Sequence, residues 1–596
     1  MAKKSYFLDE DIQFHFKNTI AWEKLVPLYE EEGTNLKEAI DMYAAVLREL
    51  GTIAAELGET AKESDEIGVK LENGEVIYTP GFEQGLKAFK ESDALALNVK
   101  RDYTGPGMPG LVNMMNVEMS CKADAAFMTV YAFYSGVAKT LEAFASEEMK
   151  NEYIPKLVSG ECGGSMSLTE PDAGSDLSQI RTTAKKKGDH WEITGNKIFI
   201  SNGNGELSLV LARSGTEEDG TKGLSMFLVP RFIENQGETA TNFKLERLEH
   251  KLGIRASPTL ELSFENSVGY LVGKEGEGLK QMFYLMNEAR LGVAVQSLGI
   301  AQKSLEESKE YAAQRVQFGK PIAQHELMAD KLIDMETDVK AMRSMVYKAC
   351  FYADMQEGLE TKLHNFKGSK NEKAQLEKKF KKYKFLAREL VPLVKYFTTE
   401  KCIQIARDNI QIHGGNGFTT EYEAERHLRD SIITAIYEGT SQIQALMAMG
   451  DTLKKSKAGT LFGMPFPYVE GVKGAGRSIK GNFSNSLDRK LTQAGNYYNS
   501  AVEHLKRPFA RAMITKNKKL KDEALSYAML NAERLTRLKA YKTIAEILVD
   551  EAKKFPERKP VAERFLKNYL PDMRKDCELI CSGDKTTLEY MEANKK

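Results

Sequence analysis

The chain has 596 residues, of which 42% are hydrophobic and 28% are charged, so it can bury a sizeable core and disorder is not expected. Its 84 Lys and Arg side chains nearly balance 85 Asp and Glu side chains, which leaves a formal net charge of -1. This balance argues against a dedicated nucleic-acid-binding protein, because phosphate contacts need a basic surplus.

The sequence carries no signal for a membrane, a secreted protein or a metal site. No stretch approaches 18 uncharged apolar residues, so we expect a soluble protein without a transmembrane segment. The acidic first residues resemble neither a secretory signal nor a transit peptide, and we expect a cytoplasmic location. Six cysteines do not make a disulfide framework in so long a chain. Cys577 and Cys581 are four residues apart but lack two further ligands nearby, so no metal is predicted.

The first predicted elements are helices, and short strands follow them. From residue 8 to about 163 the apolar residues are mostly spaced three and four apart, which is typical of helices. Between about 164 and 273, short segments rich in β-branched and aromatic residues alternate with clusters of Gly, Asn, Asp and Pro. The predicted strands there are WEITGNKIFI, LSLVLAR, LSMFLVP and TLELSFE.

Helical spacing returns after Gly278 and continues to about residue 450. One face of the first of these helices is predicted to carry Met282, Leu285, Met286, Ala289 and Val293. Residues 456–482 predict a linker, and a last helical region follows from about 483 to 590. Gly474-Ala475-Gly476 lacks the third glycine of a dinucleotide fingerprint and is interpreted as a flexible loop.

These elements predict an α+β fold that is mainly α. We expect an N-terminal helical domain (1–163), a middle β domain (164–280), a C-terminal helical bundle domain of four helices (281–455), and a linker with a helical extension (456–596).

Two segments of the middle region combine turn formers with hydroxyl groups. Residues 166–176, MSLTEPDAGSD, have an extended start and a turn of small residues, so backbone N–H groups and a hydroxyl could approach a phosphate closely. An ordinary loop is an equal alternative. Residues 197–203, KIFISNG, form an alternating strand that ends with a hydroxyl, and on its own this segment favours an ordinary strand and turn.

Two further motifs lie in the second helical region. Residues 315–322, RVQFGKPI, are typical of a helix end, but an arginine beside a phenylalanine could also hold a phosphate and stack on a base. Residues 411–418, QIHGGNGF, are paired with 436–444, IYEGTSQIQ. There Glu438 precedes a glycine among apolar residues, where a carboxylate is costly to bury without a purpose. Thr440 or Ser441 could cap the following helix.

All four segments, in this order, resemble the signatures of the acyl-CoA dehydrogenase family. The resemblance covers about residues 8–450, and the remainder resembles the C-terminal helical extension of the family's longer members. It implies an FAD-dependent enzyme of fatty acid metabolism and β-oxidation that converts an acyl-CoA to a trans-2-enoyl-CoA and passes electrons to an electron-transfer flavoprotein. The family binds FAD without a Rossmann unit, which agrees with the missing glycine fingerprint.

The resemblance also assigns residues to FAD. The assigned residues are Leu168, Thr169, Ser175, Phe199, Ser201, Arg315, Gln317, Phe318, Gln411, Gly415, Thr440 and Gln442. Phe199 and Ser201 stand where relatives often carry tryptophan and threonine, and both changes keep the chemical type. Of these assigned residues, the ones numbered between 315 and 415 would reach the FAD of a neighbouring subunit. Thr440 and Gln442 would bind the FAD of their own subunit. A shared cofactor implies at least a dimer, and the extension favours a homodimer.

Glu438 matches the family's catalytic base, which would remove the α-proton while flavin N5 takes the β-hydride. Its backbone N–H would help to hold the thioester oxygen, and a desolvated pocket should raise the carboxylate's pKa. Some relatives place the base just before an arginine of an earlier helix, where this chain has Ala289 before Arg290. The alternative for Glu438 is a structural carboxylate paired with Arg426 or Arg429. The resemblance assigns Ser175, Arg290 and Gly439 to the substrate, although Arg290 could equally form a structural ion pair.

Three alternatives of function stay open. An acyl-CoA oxidase would return the electrons to oxygen, and a degenerate relative would act as a scaffold without catalysis. The substrate is also open, because the layout resembles both fatty acyl-CoA enzymes and the 3-methylthiopropanoyl-CoA dehydrogenases.

Overall fold

The computed structural model describes residues 4–235, 237–453 and 486–594. Its first part is helical, as predicted. The helices are α1 (Glu10–Asn18), α2 (Trp22–Tyr29), α3 (Leu36–Gly58), α4 (Ala61–Ile67), α5 (Pro80–Glu91), α6 (Gly110–Ala123), α7 (Ala125–Phe144) and α8 (Glu147–Val158). A small hairpin of β1 (Lys70–Glu72) and β2 (Glu75–Ile77) interrupts them and was not predicted, because three-residue strands are too short to show a period.

The middle region is a sheet. Its strands are β3 (Gly164–Ser167), β4 (Thr183–Lys187), β5 (His190–Ser201), β6 (Leu207–Arg213), β7 (Leu224–Pro230), β10 (Lys244–Leu248) and β11 (Thr259–Leu271), with a separate hairpin of β8 (Phe232–Asn235) and β9 (Glu238–Thr241). The order is β10-β11-β5-β4-β6-β3, and β7 pairs with both β11 and β6. The four predicted segments form β5, β6, β7 and β11, and LSLVLAR and LSMFLVP coincide with β6 and β7.

Long helices return after the sheet. They are α9 (Gly278–Gln314), α10 (Glu326–His364), α11 (Lys370–His413), α12 (Ala424–Thr434) and α13 (Ser441–Leu453), with a short hairpin of β12 (Val316–Gln317) and β13 (Lys320–Pro321) after α9. The predicted apolar face of α9 is buried at four positions, and only Ala289 is partly exposed. Helix α11 packs against both α9 and α10, so these helices form one core with the N-terminal helices.

The C-terminal extension is helical as well. It contains α14 (Ser486–Ile514), α15 (Lys518–Leu530), α16 (Ala532–Lys554), α17 (Lys559–Cys581) and α18 (Thr586–Ala593). Helix α16 packs on α13, where the Thr536 hydroxyl donates to the Ala445 carbonyl at 3.3 Å. Just before α17, Arg558 pairs with Asp11 of α1, so the extension also contacts the N-terminal helices.

The predicted fold class, α+β and mainly α, is confirmed. The predicted linker 456–482 and the loop at 474–476 lie outside the described residues. Within the three described ranges, no helix is both long enough and apolar enough to cross a membrane.

Candidate active site

Glu438 lies on a tight turn between α12 and α13. Its backbone is left-handed, with φ of 55°, and Gly439 follows with φ of 91°. A side-chain-bearing residue in this conformation costs about 1–3 kcal/mol, so the surrounding structure must hold it there. The carboxylate oxygen Oε2 is buried and has no hydrogen-bond partner among the described residues. The turn therefore presents a desolvated carboxylate that can still accept a hydrogen bond or a proton.

Burial raises the pKa of Glu438 to about 6, although the positive charges of Arg290 and Lys395 act in the opposite direction. The alternative pairing predicted for Glu438 is wrong, since both candidate arginines have other partners. Arg426 contacts Glu423, and Arg429 pairs with Asp65 at 2.6 Å. A carboxylate with this pKa, and without an ion pair to any residue that the structure describes, suits a general base.

Three side chains hold the two carbonyls of the turn. Arg290 Nε donates to the Glu438 carbonyl at 3.2 Å, and Gln444 Nε2 donates to the carbonyls of Glu438 and Gly439 at 3.2 and 3.1 Å. Lys395 Nζ donates to the Gly439 carbonyl at 2.8 Å. Arg290 is predicted at the substrate by the family resemblance, whereas Lys395 and Gln444 are not among the predicted site residues. The available signal for Lys395 was one lysine inside the apolar run LVPLVKYF.

The loop after β3 contains the TEPDAGSD motif, and a buried ion pair stabilises it. Lys197 Nζ donates to Glu170 at 2.8 Å and to the Leu168 carbonyl at 3.0 Å. Glu170 also accepts the backbone N–H groups of Arg181 and Thr182, at 2.7 and 3.0 Å. This network fixes the loop but was not found from the sequence, where both partners look like ordinary motif residues.

The second predicted segment lies beside the first, because the Ile198 N–H donates to the Thr169 carbonyl at 2.9 Å. The pairing of β5 with β11 shifts register here, so β5 carries a bulge. Phe199 in this bulge has φ of 60° and is 61% exposed. A bulky residue is rarely left-handed, and the bulge turns its ring out of the sheet. Ser201 is partly exposed at the end of the same strand.

The third segment is a hairpin that projects from the end of α9. Phe318 and Gly319 form its turn with φ of 50° and 79°, as two-residue hairpin turns require. Phe318 is 95% exposed, and Arg315 and Gln317 are exposed as well. The predicted helix end is confirmed, and the structure adds a side-chain surface that the described residues leave exposed.

The fourth segment begins beside this hairpin. Tyr311, in the last turn of α9, packs on His413 with ring centroids 4.2 Å apart, and its hydroxyl accepts from Asn416 at 3.0 Å. Gln411, in the last turn of α11, and Gly415, in the loop that follows, are both exposed. The structure therefore brings the predicted partner-facing residues of two segments to one surface.

The start of α13 carries the remaining predicted residues. Thr440 caps the helix by accepting the Ile443 N–H at 3.3 Å, as predicted, whereas Ser441 donates to Glu400 instead. Gln442 Nε2 donates to Glu533 of α16 at 2.7 Å. This contact with the extension joins residues 91 positions apart and has no local sequence signal.

The predicted cofactor loops leave room for a ligand. A Cβ atom added at Gly174, Gly319 or Gly415 would meet no other atom within 4 Å, and Gly174 and Ser175 are exposed. Exposed backbone N–H groups of small residues suit a phosphorylated group, and the outward ring of Phe199 suits a flat one. Together with a desolvated carboxylate that can accept a proton, this arrangement is typical of an enzyme that binds a phosphorylated cofactor with a flat ring.

Comparison with known proteins agrees with this class. The chain matches the N-terminal, middle and C-terminal domain models of acyl-CoA dehydrogenase at residues 45–161, 165–267 and 276–451. It is 32% identical over 516 residues to the 3-methylmercaptopropionyl-CoA dehydrogenase of Ruegeria pomeroyi, covering 83% of this chain and 84% of that relative. The chain therefore belongs to the acyl-CoA dehydrogenase family, a family of FAD-dependent oxidoreductases.

Two solved structures support the fold. Butyryl-CoA dehydrogenase from Megasphaera elsdenii is 28% identical, with a TM-score of 0.59, over 71% of this chain and 100% of that one. An acyl-CoA dehydrogenase complexed with FAD from Bacillus anthracis is 22% identical, with a TM-score of 0.72, over 97% of this chain and 94% of that one. The second likeness shows that the extension is also part of a known fold.

Proposed function

We propose that the protein is an FAD-dependent acyl-CoA dehydrogenase that forms a trans-2-enoyl-CoA, with Glu438 as the base that removes the α-proton. The observation that carries this proposal is the buried, unpartnered Oε2 of Glu438 on a turn held by three side chains. Because the pKa of Glu438 is about 6, most of the carboxylate is ionised at neutral pH and can accept a proton. Ala289 cannot replace it, since its side chain has no proton acceptor.

FAD fits the residues at the site. Leu168 and Thr169, on the loop fixed by the Lys197–Glu170 pair, would face the ring together with Phe199 and Ser201. Ser175 would lie near phosphate, with Thr440 and Gln442 completing the site. When bound, FAD supplies the acceptor for the β-hydrogen, which leaves as a hydride. The chain's own part is to hold the loops, exclude water from Glu438 and keep the α-proton on that carboxylate.

The thioester would bind beside the Glu438 turn. We assign its carbonyl oxygen to the Glu438 backbone N–H and place Gly439, Ser175 and Arg290 along the CoA part. Arg290 is 2% exposed, and its guanidinium already donates to the Glu438 carbonyl and to Asn287 at 3.0 Å. The contacts of Arg290 therefore support a role in holding the base more directly than a contact with CoA.

The exposed residues after α9 support a homodimer. Phe318, Leu327 and Phe418 are 95%, 88% and 85% exposed, and such side chains are usually covered by a partner. Arg315, Gln317, Gln411 and Gly415 share this surface and would reach the partner's FAD. Replacing Phe318 by Ser should weaken self-association about tenfold in analytical ultracentrifugation, whereas a tetramer of the unchanged protein would contradict the homodimer.

The proposed function leaves two candidate acyl groups for the substrate. A 3-methylthiopropanoyl-CoA is the second candidate, because the Ruegeria relative matches 83% of this chain, which includes part of the extension. A panel of butanoyl-, octanoyl-, palmitoyl- and 3-(methylthio)propanoyl-CoA with a dye acceptor would separate a long acyl chain from a short thioether group.

One anaerobic experiment tests the main proposal. Each acyl-CoA of the panel is mixed with the holoenzyme, and bleaching of the flavin absorbance is followed. Bleaching by at least one thioester is expected, and bound flavin that no thioester reduces would favour the scaffold alternative. Admitting air then measures reoxidation: slow reoxidation supports electron transfer to an electron-transfer flavoprotein, and rapid reoxidation would make the protein an oxidase. The cytoplasmic location and the place in β-oxidation stay predictions.

A further inference from the structure

Lys395 is a fully buried lysine in the middle of α11. Its relative exposure is 0%, and its neighbours in the helix are Val394 and Tyr396. An ammonium group away from water is costly unless it is hydrogen-bonded or paired. Among the residues that the structure describes, no carboxylate lies within ion-pair distance of its Nζ. The only hydrogen bond that the structure gives this ammonium is the one to the Gly439 carbonyl, at 2.8 Å.

That carbonyl belongs to the turn that carries the proposed base. Glu438 and Gly439 are consecutive left-handed residues, so the turn needs external support to persist. Arg290 from α9 donates to the Glu438 carbonyl, Gln444 from α13 donates to both carbonyls, and Lys395 is the donor from α11. The turn is thus held from three different helices.

The charges around Lys395 come from a small set of groups. Burial lowers the pKa of Lys395 to about 7, while Glu438 acts to raise it and Arg290 to lower it; Glu400 on α11 also acts to raise it. Four further charged pairs, on α11 and on helices that pack around it, form without Lys395. These pairs are Arg537–Asp576, Lys539–Glu389, Lys401–Asp338 and Arg388–Asp451.

We propose that Lys395 is a positioning residue of the base: its ammonium fixes the Gly439 carbonyl and with it the turn, and its charge favours the ionised form of Glu438. This inference rests on the proposed function of Glu438 as the base. Lys395 neither touches the substrate nor exchanges a proton in the reaction. It acts through Glu438, whose carboxylate receives the α-proton; because the pKa of Lys395 is about 7, its side chain carries the charge below neutral pH, which is the range of the acid limb.

Two substitutions separate the hydrogen bond from the charge. Lys395→Met keeps the approximate volume but removes both, and Lys395→Gln keeps a donor without the charge. Lys401→Met is the matched control, because Lys401 lies on the same helix, is partly buried, and pairs with Asp338 at 3.6 Å instead of contacting the turn. The probe is whichever thioester of the four-member panel reduces the flavin fastest, and the readout is the single-turnover reduction rate of the holoenzyme against pH.

We expect Lys395→Met to lower the reduction rate about 100-fold at neutral pH and to move the acid limb of the pH profile up by about one unit. Lys395→Gln should recover most of the rate but keep the upward shift, because it restores only the donor. Lys401→Met should leave both unchanged. An unshifted acid limb in Lys395→Met and in Lys395→Gln, or a normal rate in Lys395→Met, would overturn the proposal.

A second readout does not depend on activity. Amide hydrogen exchange of peptides spanning 436–444 should become at least about tenfold faster in Lys395→Met, with and without bound FAD, and stay unchanged in Lys401→Met. Exchange equal to the unchanged protein would show that the turn does not need Lys395. If no thioester reduces the flavin but exchange responds as expected, the proposed function fails while the support of the turn by Lys395 stands.

Discussion

Glu170 and Glu438 are both withdrawn from solvent in the candidate site, and their surroundings differ. Burial alone would raise the pKa of Glu170, but Lys197 and the backbone donors overcome this effect and lower it. Burial raises the pKa of Glu438 to about 6, and the nearby cations only limit that rise. The donors that reach the carboxylate oxygens, more than burial, decide which carboxylate is structural and which can react.

The largest expected effect comes from removing the reactive carboxylate. Glu438→Gln should slow flavin reduction by acyl-CoA about 1,000-fold or more, because a positioned base contributes on this scale and the amide cannot accept the proton. Stopped-flow absorbance measures the rate, and the flavin spectrum checks that FAD is still bound. A variant that keeps FAD and reduces it at nearly the normal rate would remove Glu438 from the mechanism.

Removing the structural carboxylate should act on stability instead. Glu170→Ala leaves the ammonium of Lys197 and two backbone N–H groups without their partner, and breaking a buried pair in this way costs about 3–5 kcal/mol. Urea unfolding measures the change, and flavin release during the titration reports the loop. The matched control is Glu425→Ala, whose partner Arg429 keeps Asp65. Equal loss in both variants would contradict the special role of the Lys197 pair.

The same comparison predicts that Glu438 costs stability. The pKa of Glu438 rises from its ordinary value of 4.5 to about 6 on folding. The folded state therefore favours the protonated carboxyl, and this contribution to the free energy of unfolding is complete below pH 4.5 and is lost as pH rises through 6. Glu438→Gln should therefore be more stable than the unchanged protein by about 2 kcal/mol at pH 7.5 and by almost nothing at pH 4.5. Thermal unfolding at both pH values checks this, and a variant that is less stable at pH 7.5 would reverse the expected sign.

The smallest effect is the pH dependence of the unchanged enzyme. Below about pH 6 the single-turnover reduction rate should fall about tenfold per pH unit, because Glu438 becomes protonated. Glu170→Gln, if it keeps FAD, should show the same acid limb, since the lowered pKa of Glu170 places its titration at more acid pH. A limb that moves in Glu170→Gln would mean that the two carboxylates are coupled.

Much of the fold was predictable because its strands and helices follow simple periods. The segments LSLVLAR and LSMFLVP are bounded by turn residues and form β6 and β7 as predicted. Glu438 was identifiable because a carboxylate among apolar residues before a glycine has few structural explanations. The family resemblance supplied its role and the residues assigned to FAD.

The supporting residues could not be predicted, because they depend on distances between helices. Lys395 lies 43 residues before Glu438 in the chain, and no local sequence pattern shows that a residue of α11 donates to the turn. The bulge that exposes Phe199 depends on how β5 pairs with β11, which is a property of both strands. Likewise, the contact between Gln442 and Glu533 joins two distant parts of the chain.

The packing of α16 on α13 has a consequence for engineering this protein. Ala445 and Met449 of α13 belong to the same apolar cluster as Leu535 and Leu538 of α16, and all four are buried. A shortened gene that ends where the family models end, at residue 451, would expose that surface on the helix that follows the turn of Glu438. The last helices thus belong to the apolar core that supports α13, and trimming them is expected to give an insoluble or inactive product.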